Sequence, residues 1–366
     1  MPHERLSPRA AGPGAGVKPF FATHPGDPVS PHRRRFALAG ALGAGLAAWP
    51  LTGGAGVEPT RLRQSRTFMG TQVDIAAVAD DAQLLRSAQQ AAFERMEQLV
   101  AVMSHYEPTS RVAALNLAAG LQPVPVGAEM LRVLAMARDV SRRSGGAFDV
   151  TVGSVGRWHF DPQHPLMPAP SYVASHLPVV DYRNLVLDER AGTAYLRQRG
   201  MRVDLGGIAK LYILEAGLDT LRRHGIRHAL VNGGGDVVAT SGPALRPWRV
   251  GIRDPHRPER LLATVDLREG FVASSGDYER FFVRDGQRYH HVLDPKTGYP
   301  AQGPHGVTLI GADLASVNGL GAAAMVLAAA DGRELVRGTR GVEGLIAGND
   351  GGLWMTPGMR QRLQVA

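Results

Sequence analysis

The stretch HALVNGGGDVVATSG, residues 228–242, decides the fold. Two apolar runs flank three consecutive glycines, Gly233, Gly234 and Gly235. A dinucleotide-binding unit would need a strand, glycines spaced G-x-G-x-x-G, a helix and a distant acidic residue. Here a second apolar run, DVVATSG, follows the glycines at once, so the segment reads as strand, turn, strand. A hairpin at this point argues for an α+β fold with mixed, largely antiparallel sheets and flanking helices, and against a doubly wound sheet.

Working outward, MRVDLGGIAKLYILEAGLDTLRRHG (201–225) predicts strand, glycine turn and helix. Upstream, RTFMGTQVDIAAVA (66–79) predicts one strand bent at Gly70. AQLLRSAQQAAFERMEQLVAVMS (82–104) has the apolar spacing of a long amphipathic helix. A loop follows, with a new helix starting near Ser110, and AEMLRVLAMARDVSRRSGG (128–146) predicts a second helix capped by Gly145. Downstream, several strands run through residue 310, and 316–330 predicts an Ala-rich helix. No repeat is visible, and residues 57–366 read as one continuous globular domain.

The charge has a similarly simple reading. The chain of 366 residues carries a formal +8. Its first fifty residues hold six basic and two acidic side chains, a net +4, which leaves +4 over more than three hundred others. Basic clusters interleaved with aromatics are absent, so nucleic acid is not an expected partner. With no cysteine, disulfides, thiolate metal sites and cysteine nucleophiles are excluded. RRRFALAGALGAGLAA (33–48) reads as a twin-arginine export signal within an N-terminal segment spanning residues 1–56. The apolar run is too short and glycine-rich for a membrane span, and the expected location is the periplasm.

Four segments concentrate polar chemistry. In DLGGIAK (204–210) two glycines open a helix whose amides can face an anion, with Lys210 adding charge. SGGAFDVTVG (144–153) sets Phe148 and Asp149 after exposed backbone, as a ring-binding edge or as a packed turn. ASSGDYER (273–280) places Ser274, Ser275, Asp277 and Tyr278 on a turn between strands. In RYHHVLDPKTGYP (288–300), a strand over 289–293 would point His290 and His291 to opposite faces, which disfavours a two-histidine metal site. Asp294-Pro295 then begins a turn.

Read in series, MGT (69–71), SHY-x₃-S-x₅-N (104–116), GGAFDVTVG (145–153), VDLGGIAK (203–210), VNGGGDV (231–237), SSGDYER (274–280) and HHVLDPKTGYP (290–300) resemble the FAD:protein FMN transferase family, ApbE-like, over residues 66 to about 330. The resemblance implies a two-lobed fold with the flavin in the cleft between lobes. It also implies a reaction, in which FAD is split at its pyrophosphate, AMP leaves, and FMN is joined to a Thr or Ser hydroxyl of a target protein. By position it implies FAD contacts from Met69, Tyr106, Ala147, Phe148, Asp149, Asp204, Lys210 and the backbone near Val292. His291 and Asp277 match the family's catalytic positions, with either as the base. The implied partner is a flavin-accepting respiratory or electron-transfer protein, membrane-bound on the periplasmic side.

The resemblance departs at the metal. The family holds Mg²⁺ on an Asp, a Thr four residues later and a glycine-turn carbonyl, here that of Gly207. This chain has Asn318 and Ala322 at the two side-chain positions, with Leu211 and Glu215 as further departures on the same wall. A hard cation depends on oxygen ligands, often carboxylates, so a weakened Mg²⁺ site is expected. Two readings follow: a transferase whose metal is held mainly by the FAD pyrophosphate and backbone carbonyls, or a flavin-binding carrier or scaffold with weakened chemistry.

Overall fold

The computed structural model describes residues 59–365 of the protein. Eight strands form its central sheet: β1 (Thr60–Phe68), β2 (Thr71–Ala79), β3 (His228–Gly233), β4 (Asp236–Thr240), β5 (Gly270–Gly276), β6 (Gly306–Gly311), β7 (Val342–Ala347) and β8 (Leu353–Met355). They lie side by side in the order the chain visits them, each pair antiparallel. The deciding hairpin is β3–β4, with Val231 opposite Val238 and Gly233 opposite Asp236. Gly234 (φ 64°) and Gly235 (φ 98°) both turn with positive φ, as a two-residue hairpin loop demands. The α+β expectation holds.

Both faces of the sheet are covered. Helices α1 (Ala82–Met103), α2 (Ala128–Arg143) and α3 (Ala209–Arg223) pack on one side. Asp81 caps α1 by accepting from the amides of Gln83 and Leu84. The α1 stripe Leu85, Ala88, Ala92, Phe93, Met96 and Leu99 is buried, at helical spacing. Val238, Phe271, Leu309 and Ile346 face this layer. Their neighbours Val237, Val272, Ile310 and Leu345 face the opposite way, against Val250, Ile252, Val265 and Leu267 of a second, three-stranded sheet. Each fully buried aliphatic side chain contributes about 1.5–3 kcal/mol, and burial on two faces explains why every residue of β6, GVTLIG, is buried.

Four local expectations are corrected. Residues 66–79 are not one bent strand but the β1–β2 hairpin, turning at Met69 (φ 54°) and Gly70 (φ 70°). Met201–Leu205 forms no ladder, because side chains take its backbone groups. Asn116 holds Val203 at both its amide and its carbonyl, and Ser154 Oγ accepts from the Arg202 amide. The Ala-rich helix is broken into Leu314–Val317, Leu320–Val326 and Ala329–Gly338, with left-handed Gly319 (φ 74°) at the first break. The strand expected over 289–293 is Gln287–His290, paired with Phe281–Arg284. The export segment at 33–48 lies outside the described residues. Among the described residues no helix is long and apolar enough to cross a membrane.

Candidate functional site

The site is assembled around the start of α3. The Asn116 and Ser154 bonds, with the Asp204 amide donating to the Val150 carbonyl at 2.8 Å, fix the approach of the chain. Asp204 Oδ1 then accepts from the Gly206 amide at 2.8 Å and lies 3.2 Å from His105 Nδ1. Burial alone would raise this carboxyl, but His105, the Gly206 amide and the charge of Arg280 outweigh it and hold the pKa below the usual value. The next glycine, Gly207, has its backbone against the Phe148 ring, where a Cβ would come within 3.1 Å. Ala147 and Phe148 are buried beneath this turn.

Tyr106 stands two-thirds exposed, its ring 3.8 Å from that of His105. Its phenol pKa is raised by partial burial and by Asp204, against the charges of Arg280 and Arg157. Lys210, in the first turn of α3, bonds Asp236 Oδ2 at 2.8 Å, while Asp236 Oδ1 accepts from the Ser274 amide at 2.9 Å. The glycine hairpin therefore positions the lysine. Met69 sits in the β1–β2 turn beside that hairpin, where Thr71 packs against Gly234. Asp149 behaves differently. Its carboxylate accepts from the Thr151 amide and hydroxyl and from the Tyr182 amide, so both oxygens serve the fold.

The adjacent histidines separate into two roles. His290 Nε2 lies 2.8 Å from the Ala301 carbonyl and its Nδ1 accepts from the Val292 amide, a pattern that sets a neutral ring with the proton on Nε2. Burial lowers its pKa. His291 donates its amide to the Arg280 carbonyl, and its buried Nδ1 has no partner. Burial lowers its imidazole pKa well below the ordinary value, helped by the charges of Arg280 and Lys210. At neutral pH His291 is therefore a neutral imidazole. Val292 is buried, and its carbonyl accepts from the Ala301 amide. Asp277 is buried and engaged by His305 Nδ1 at 2.8 Å and Arg288 at 3.3 Å.

Residues 69–346 match the ApbE family. The chain belongs to that family. It is 34% identical over 300 residues to the FAD:protein FMN transferase of Treponema pallidum, covering 77% of this chain and 82% of that protein. A Klebsiella pneumoniae protein of the same name is 31% identical over 252 residues, covering 68% and 77%. Among solved structures, the ApbE protein of Thermotoga maritima superposes with a TM-score of 0.75 at 29% identity, over 83% of this chain and all of that one. The Pseudomonas stutzeri flavinyl transferase ApbE, in its apo form, gives 0.71 at 25% identity, over 84% and 98%.

For an ApbE family member, the cation corner is altered. The buried Asn318 side chain donates Nδ2 to the Ile208 carbonyl at 2.8 Å. A carbonyl oxygen can only accept, so the amide must turn its hydrogens toward the Gly207–Ile208 turn. Ala322 brings a methyl group where an oxygen would be needed. With no ionised oxygen from either position, these residues do not fit Mg²⁺. Among the described residues no cluster of three His, Asp or Glu side chains could hold a metal ion.

Sequence reasoning missed three arginines. Arg157 and Arg202 line a cavity of about 470 Å³ with Gly156, Met167, Pro168 and Tyr172. Arg280 joins them through its influence on Tyr106, Asp204 and His291. The guanidinium groups of Arg157, Arg202 and Arg280 have no ion-pair partner among the described residues, although Glu279 beside Arg280 pairs with Arg253. Part of the signal was in the sequence: Arg280 ends SSGDYER and Arg202 directly precedes VDLGGIAK, while Arg157 lies four residues past GGAFDVTVG.

Proposed function

We propose that the protein transfers FMN from FAD to a Thr or Ser hydroxyl of a target protein and releases AMP. The observation that carries this reading is His291, whose buried Nδ1 has no hydrogen-bond partner and whose imidazole is kept neutral by burial and by the charges of Arg280 and Lys210. The acceptor hydroxyl oxygen attacks the phosphorus esterified to riboflavin, and the anhydride P–O bond breaks. AMP carries away the bonding pair, and His291 takes the hydroxyl proton. Phosphoryl transfer needs mainly positioning and charge neutralisation, which the arginines and the α3 amides supply. Asp277, already bonded to His305 and Arg288, acts by holding its turn rather than as the base.

Tyr106, two-thirds exposed, offers aromatic surface for the flavin, Phe148 supports the Gly207 turn from beneath, and the cavity lined by Arg157 and Arg202 has the volume of a small-molecule site. The twin-arginine segment supports export to the periplasm, where the acceptor is a membrane-bound electron-transfer protein. The test is incubation of the protein with FAD and an acceptor domain bearing the target threonine. Fluorescence in a denaturing gel and intact mass would show covalent FMN. Tight FAD binding without attachment would replace the transferase by the carrier that Asn318 and Ala322 favour.

A further inference from the structure

We propose that this protein binds the diphosphate of its flavin dinucleotide without a divalent cation, using Arg157, Arg202 and Arg280 for charge and the Asn318–Ile208 hydrogen bond to close the corner a cation would bridge. This rests on the flavin reading above. The corner is made of the Gly207–Ile208 turn, Asn318 and Ala322, with the Phe148 ring beneath Gly207 and beside Gly319.

A cation can join a carboxylate to a carbonyl because both present oxygen. Here the joint already exists as N–H···O at 2.8 Å, at a residue 4% exposed. While that bond stands, the amide shows the turn its N–H and not its oxygen, so a cation held at this turn would either force the amide to flip and lose the bond or find only an uncharged Oδ1 beside it. The methyl of Ala322 returns nothing for the exchange. Neutralisation must then come from elsewhere. Lys210 is already balanced by Asp236 at 2.8 Å. The three arginines have no ion-pair partner among the described residues: Arg157 and Arg202 line one cavity, Arg202 lies two residues before Asp204, and the charges of Arg157 and Arg280 both reach Tyr106. Guanidinium groups suit phosphate oxygens through paired donors.

The experiment titrates FAD into the full-length protein by flavin fluorescence, once with Mg²⁺ and once with chelator. The expected dissociation constants agree within about twofold. A tenfold or greater weakening in chelator would overturn the proposal, as would a rise in the melting temperature of the FAD-free wild-type protein on adding Mg²⁺. R280Q and R157Q should each weaken FAD about tenfold in both buffers. If neither does, the assignment of charge is wrong. The pair N318D/A322T sets a carboxylate against the Ile208 carbonyl. It should melt lower in chelator and recover with Mg²⁺, a response the wild type lacks. A double variant indifferent to Mg²⁺ would show that this corner is not where a cation would sit, and the proposal falls. If FAD binds in neither buffer, the flavin reading itself fails, and the proposal with it.

Discussion

Substituting Asp236 by alanine tests whether the glycine hairpin exists to position Lys210. The carboxylate is 7% exposed and accepts from Lys210 Nζ at 2.8 Å and from the Ser274 amide at 2.9 Å. Stranding the Ser274 amide costs about 1–3 kcal/mol. The ion pair contributes less than a fully buried one, because the Lys210 side chain is 31% exposed and water can replace its partner; about 0.5–1 kcal/mol is appropriate. Together Asp236→Ala should lose about 1.5–4 kcal/mol. Urea unfolding followed by circular dichroism measures this directly. Asp236→Asn keeps an oxygen for Ser274 and should lose only about 1 kcal/mol. A double-mutant cycle with Lys210→Met isolates the pair, with an expected coupling near 0.5–1 kcal/mol. If Asp236→Ala unfolds within 0.5 kcal/mol of the wild type, the carboxylate does not bridge α3 to β5 and this account of Lys210 is refuted.

Three other outcomes are expected. His291→Ala should lower FMN attachment at least about 100-fold while changing FAD affinity by less than about threefold, measured by gel fluorescence and titration; equal losses in both would make His291 a binding residue. Its depressed pKa also fixes a sign. As pH falls through about 6.5, the unfolded chain takes a proton that the native imidazole refuses, so stability falls toward acid by up to about 1.4 kcal/mol per pH unit. His291→Gln should flatten that slope in unfolding curves between pH 7.5 and 5.5, and an unchanged slope would place the acid sensitivity elsewhere. Gly207→Ala pushes a methyl toward the Phe148 ring and should cost about 1 kcal/mol of stability with weaker FAD binding; unchanged affinity would detach this turn from the site.

The chain announces its larger elements well. Helix α1 runs Ala82–Met103 where the apolar spacing put it, and the triple glycine makes the hairpin that its flanking runs require. What the sequence hides is competition for backbone groups. Met201–Leu205 looks like a strand, yet Asn116 and Ser154, distant in sequence, take its hydrogen bonds. The Ala-rich segment looks continuous, because a glycine's sign of φ is not written in its name. Around the start of α3, the motifs singled out Asp204, Lys210 and His291 as candidates. They did not show that both Asp149 oxygens are taken up by the fold, or that Asn318 bonds a carbonyl. Those facts depend on which way a side chain turns, and spacing is silent on that.

The sheet is visited strand by strand, yet between Ala79 and His228 the chain makes one long excursion and returns to its starting edge, with Val78 paired to His228. Tyr106, Asp204 and Lys210 all belong to this excursion. Closure entropy of a flexible turn grows only logarithmically, so doubling the length of one of its surface turns costs only about 0.6 kcal/mol. Lengthening or trimming its surface turns is correspondingly cheap. The frame thus separates two kinds of inheritance. The β-sheet and the helices packed on it can stay fixed while the surface turns of the excursion change, much as a tool head is changed on one handle.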